Sequence, residues 1–213
     1  MTMSLRAIII GLLALGCNPA WAGEVALVMS VHGGVKRLGE AAPTAVEAFV
    51  KLKEGDLVSL EKDGRLQLVY FANGRQETWT GPGRLELSAQ EGQASGLPAA
   101  QIRMLPLVMA RQLARTPALD SQGRGGVTRL RALGSPDAVA RLEDSYQELR
   151  TRAGRDELGP EAYLLSGLYE MRELDRVEKV LADLQQDWPQ HPEAALLIAL
   201  YRKALKNARE SRR

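Results

Sequence analysis

The apolar residues of this chain change period once, and that change constrains the fold more than any single motif. From Glu24 to about Ser88 they come in short runs that favour alternation, whereas from Ser135 onward they recur at helical spacing. A sheet built from the first stretch and helices built from the second predict an α+β chain in two segregated domains: a small antiparallel all-β unit, sandwich or barrel, then all-α helical hairpins.

In the first half, Val25–Val31 and Val35–Leu38 flank Gly33-Gly34, and Val50–Leu52 and Leu57–Leu60 flank Glu54-Gly55-Asp56. The clearest alternation is Leu66, Leu68 and Tyr70, between Asp63-Gly64 and Asn73-Gly74. Both dipeptides favour hairpin turns of type I′, which require positive φ, so Gly64 and Gly74 are expected there. Gly81-Pro82-Gly83 marks a further hairpin or corner between Glu77–Thr80 and Arg84–Leu87. Gln90 to Ala100 has loop composition. Ile102 to Arg115 reads as a helix interrupted or started near Pro106, and 121–126 as a flexible linker.

In the second half, Ser135 is an N-cap before Pro136, and Val139, Leu142, Tyr146 and Leu149 share a face down to about Arg152. A second helix opens at Pro160 and ends near Leu174-Asp175. A third runs from Arg176 to Asp187 with Val177, Val180, Leu181 and Leu184 inward. The fourth begins at Pro192, with Leu196, Leu197, Leu200 and Leu205 inward, before a polar tail from Asn207. The implied division is 1–22 leader, 23–95 β domain, 96–134 connecting segment, 135–207 helical domain and 208–213 tail.

The leader reading rests on Arg6, the apolar run from Ala7 to Gly16, and Ala20-Trp21-Ala22, which together have the pattern of a secretory signal peptide cleaved after Ala22. The run is too short for a membrane anchor. Cys17, after Ala14-Leu15-Gly16, keeps a lipoprotein reading open. Cleavage removes the one cysteine in the sequence, so the mature chain has no thiol chemistry and no disulfide. The expected compartment is periplasmic or secreted, with no transmembrane span after cleavage. A net charge of +2 over 213 residues does not suggest nucleic-acid binding.

The order Gly33-Gly34-Val35, Leu52 to Asp56, Leu66 to Tyr70, Gly74 and Gly81 to Leu87 resembles the FecR domain, an exported all-β module that works through protein contacts. Signalling members carry a cytoplasmic segment and a membrane span ahead of that module. A signal peptide stands in that place here, so the resemblance implies the module and its compartment but not the anti-sigma mechanism. Residues 160–203 resemble a tetratricopeptide helical hairpin, of which one full unit is visible.

No catalytic, cofactor-binding or metal-binding residue is assigned, and no cofactor is expected. His32 and His191 fall in different halves and read as a turn residue and a loop residue. No nucleophile elbow or phosphate loop occurs. Candidate partner-binding residues are the aromatics Trp79, Tyr163, Tyr169 and Trp188 and the arginines Arg103, Arg111 and Arg115, whose simplest alternatives are core packing and solvated charge. The expected function is a non-catalytic adaptor or scaffold for other envelope proteins. The alternatives are a protein that binds anionic cell-wall polymer or a lipid surface through its arginines, and an envelope hydrolase with an unrecognised carboxylate pair.

Overall fold

The computed structural model describes residues 23–39, 42–117 and 135–210. The expected signal peptide, Cys17 and the glycine-rich stretch 121–126 lie outside the described residues. Strands occupy residues 24–104 and helices follow them, so the chain is α+β with its two structure types segregated along the sequence.

The strands are β1 (Glu24–His32), β2 (Val35–Leu38), β3 (Thr44–Ala45), β4 (Lys51–Lys53), β5 (Leu57–Leu60), β6 (Arg65–Tyr70), β7 (Arg75–Thr80), β8 (Gly83–Leu87), β9 (Gly92–Ser95) and β10 (Gln101–Met104). They form two antiparallel five-stranded sheets, one in the order β10-β7-β6-β1-β4 and the other β3-β2-β5-β8-β9. Ala26, Val28, Leu66, Leu68, Tyr70 and Trp79 of the first sheet meet Val35, Val58, Leu60, Leu85 and Leu87 of the second in one apolar cluster. The β part is therefore a sandwich.

Most of the expected turns carry the chain from one sheet to the other, including Asp63-Gly64, for which a hairpin was expected. Gly33-Gly34, Glu54-Gly55-Asp56, Asp63-Gly64 and Gly81-Pro82 each join strands of opposite sheets. Asn73-Gly74 does close a hairpin, β6 with β7, and Gly74 sits at φ 74°. Gly64 does not have the positive φ its dipeptide suggests. A side chain is excluded there because a Cβ would lie 2.7 Å from the Gly34 carbonyl oxygen and 3.0 Å from the Glu61 backbone.

Three strands have no counterpart in the sequence pattern, the two-residue β3 among them. β9 lies in the Gly-, Ser- and Ala-rich stretch, and β10 begins where the helix from Ile102 was expected. Helix α1 (Leu107–Leu113) starts only after Pro106, which cannot continue a ladder or a helix from its N-terminal side.

Four longer helices follow: α2 (Pro136–Arg152), α3 (Gly159–Glu170), α4 (Leu174–Asp187) and α5 (Pro192–Glu210). The Ser135 hydroxyl accepts the Ala138 N–H at 3.3 Å, the expected N-cap. α3 ends at Glu170, earlier than the apolar pattern suggests, because Arg172 turns at φ 61°. α5 runs on to Glu210, through the expected tail. Leu196, expected inward, is exposed, and Ala194, Ile198 and Tyr201 share the buried face with Leu197, Leu200 and Leu205.

The first sheet is buried on both faces. Its inner face closes the sandwich, whereas Leu27, Met29 and Val69 on its outer face join Met109, Ala110 and Leu113 of α1 and the helical core in one cluster. α1 is the wedge, and it packs on α3. The Ser166 hydroxyl of α3 donates to the Gln112 carbonyl at 3.0 Å, and Arg115 pairs with Glu170.

Candidate functional site

Past Met29 the outer face of the first sheet turns polar. A register shift between Val28 and Ser30 is followed by Ser30 opposite Gln67 and His32 opposite Arg65 on β1 and β6. Gln76 of β7 and Arg103 of β10 pair next along the sheet. Facing this wall are the C-terminal end of α2 with Arg152, the α2–α3 connection with Asp156 and Glu157, and the start of α5 with His191 and Glu193. Met29, Leu105, Pro106 and Met109 contribute apolar surface between the walls, enclosing a cleft of about 930 Å³. That volume lies within the range of small-ligand clefts, roughly 300–1,000 Å³, which are commonly found between structural units.

The cleft brings together the two histidines that the sequence assigned to separate halves. Their common neighbour is Glu193, whose side chain is only 6% exposed. His32 Nε2 lies 3.6 Å from its Oε1, and His191 Nδ1 lies 3.1 Å from its Oε2. Both His191 Nδ1 and Glu193 Oε2 are buried, and their approach has charge-pair distance without hydrogen-bond geometry, so neither atom has a hydrogen-bond partner. Glu193 stands in the first turn of α5, where the helix dipole favours negative charge, and the His191 carbonyl accepts the Ala195 N–H. Two imidazoles from opposite walls thus flank one buried carboxylate.

Arg103 spans the cleft. Its guanidinium donates to Glu157 Oε1 at 3.1 Å and to Oε2 at 2.7 Å, and also to Gln76 Oε1 at 3.2 Å. This fork ties β10 to the α2–α3 connection. Behind it, Arg150 donates to both oxygens of buried Glu161 at 3.0 Å, and the Tyr146 hydroxyl donates to Glu161 Oε1 at 3.3 Å. Burial, reinforced by the Glu161 charge, pushes the Tyr146 phenol up to about 12. Arg65 and Arg152 line the cleft with no carboxylate partner among the described residues.

Among the described residues no group of three or more His, Cys, Asp or Glu side chains is arranged to hold a metal ion. Ser30 shares a strand with His32 but makes no hydrogen bond to it among the described residues.

The aromatic candidates are mainly packing residues. Trp79 lies in the sandwich interior, while Tyr163, Tyr169 and Trp188 belong to or pack against the helical cluster. The Tyr169 hydroxyl donates to the Ala204 carbonyl at 3.2 Å, and its ring meets Tyr201 edge-on at 6.0 Å. Of the arginines, Arg103 and Arg115 are held by Glu157 and Glu170, and Arg111 is exposed on α1. The cleft residues His32, Arg65, Arg152, His191 and Glu193 were not singled out as a site in the sequence. The one local signal was an acid directly after His191-Pro192 at a helix start.

No helix among the described residues is long and apolar enough to cross a membrane. The chain matches no protein family model, no curated protein and no solved structure.

Proposed function

We propose that this chain is a non-catalytic exported adaptor that holds an envelope protein partner in the cleft between its first sheet and its helices. The observation that carries this reading is the cleft itself: two structure types contribute its walls, and Arg103 and Glu157 tie those walls together. The leader pattern in residues 1–22 supports export, and the FecR-like and tetratricopeptide-like sequence orders support action by contact. The antiparallel sandwich and the helix order α3, α4, α5 are compatible with those resemblances.

The test is in-cell photo-crosslinking from Ala153 at the cleft rim, with Lys179 on α4 as the control position, read by mass spectrometry. Defined envelope proteins crosslinked from position 153 and not from 179 support the adaptor. Turnover of purified cell wall that is lost on Asp156→Asn or Glu193→Gln overturns it in favour of a hydrolase.

A further inference from the structure

Resting on the adaptor reading, we infer that the cleft accepts the C-terminal carboxylate of a partner protein whose last residue is aliphatic. A cleft of about 930 Å³ takes a chain end more readily than a folded surface. Its charges then select which end. Arg103 is committed to Glu157, and Glu193 is flanked by the two imidazoles, so that carboxylate is not open to an incoming ammonium group.

What remains are the guanidiniums of Arg65 and Arg152, one on each wall, with Asp156 the remaining acid. Of the charged groups left open, two are guanidiniums and one is a carboxylate, and a guanidinium presents the planar fork that a carboxylate matches with two parallel hydrogen bonds. Carboxylate capture alone would not specify a chain end, but the apolar surface adds a second requirement. Met29 and Met109 are buried between the walls, and unbranched thioether side chains adjust their shape to an aliphatic group of varied form. A ligand that satisfies both features carries a carboxylate next to an aliphatic side chain, as the last residue of a peptide does.

The experiment uses the mature chain with ¹³C-methyl methionine and two N-acetylated hexapeptide libraries ending in Leu, Ile or Val, one as free acids and one as C-terminal amides. The expected result is a shift of the Met29 and Met109 methyl signals by the acid library, with Met171 unmoved. Binding of the amides is expected to be weaker by about tenfold, as loss of a charge-assisted contact implies. Arg65→Gln and Arg152→Gln should each weaken the acids by a similar factor, whereas Lys179→Gln should not.

Equal response to acid and amide, or no response at Met29 and Met109, overturns the inference. Octanoate shifting the same methyls as tightly as the peptides overturns the peptide source and leaves an amphiphile site. Crosslinks retained from Ala153 beside any of these results show that the carboxylate inference alone has failed. Absence of those crosslinks shows that the adaptor reading has failed.

Discussion

Trp79 donates its indole N–H to Glu77 Oε2 at 2.9 Å inside the sandwich. Glu77 is fully buried, and its carboxylate also accepts from Arg75 Nε at 2.5 Å and from the Gly92 N–H at 3.1 Å. A tryptophan whose sequence context suits core and binding anchor alike is thus held inward by the acid two residues before it. Glu77→Ala leaves Arg75, the buried Trp79 indole and the half-buried Gly92 N–H without this acceptor, and should cost roughly 3 kcal/mol. Glu77→Gln, which keeps an acceptor oxygen, should cost less. Urea unfolding of the two variants checks both the size and the order.

The Tyr146 phenol sits at about 12, against about 10 for an exposed tyrosine, so the folded chain holds that proton more tightly than the unfolded one. Its contribution to stability is complete below about pH 10 and is lost as pH rises through about 12. Tyr70, Tyr169 and Tyr201 are also raised, chiefly by burial. Unfolding midpoints measured across that window should fall steadily, and Tyr146→Phe should make the fall shallower without abolishing it.

Arg103 and Glu157 are each partly exposed, with side chains 45% and 32% accessible, so water screens much of their attraction. A double-mutant cycle of Arg103→Ala and Glu157→Ala should return a coupling of about 0.5–1 kcal/mol. The larger effect should be local. Amide exchange in β10 and in the α2–α3 connection should quicken in either single variant, while exchange in β6 stays slow.

Gly64 and Gly74 exclude side chains for different reasons, and substitution should separate them. At Gly64 the obstacle is backbone packed within 3.0 Å of a new Cβ, so Gly64→Ala should lower the melting temperature with no dependence on φ preference. At Gly74 positive φ is compounded by the Leu105 carbonyl lying 2.5 Å from where a Cβ would be. Asparagine, which tolerates positive φ, should therefore rescue little at position 74. Gly39→Ala, with nothing within 4 Å, is the neutral control.

The elements that sequence revealed most clearly are those whose apolar residues keep a period. Leu66, Leu68 and Tyr70 alternate because one side of β6 meets the sandwich interior while Arg65 and Gln67 stand on the other, and Val177, Leu181 and Leu184 recur because α4 shows its other side to water. β10 escaped because all four of its residues are exposed at a sheet edge, which leaves no burial pattern to read. Asp63-Gly64 misled because the same dipeptide suits a hairpin and a change of sheet. The cleft was not legible because its wall residues come from strands and helices far apart in sequence. Nothing local to His32 indicates that a glutamate at the start of α5 will lie beside it.

The two-sided burial of the first sheet sets an order of events during synthesis. Leu27 and Val69 stand on strands whose other side is finished sandwich, yet their own cluster, begun by α1, stays incomplete until α3 and the helices after it have emerged. For the interval in which that downstream sequence is being made, the nascent chain presents a greasy sheet to its surroundings. A chain cut short after α1 should therefore stick to itself or to a chaperone, and the last third of the polypeptide acts as the cover for the first.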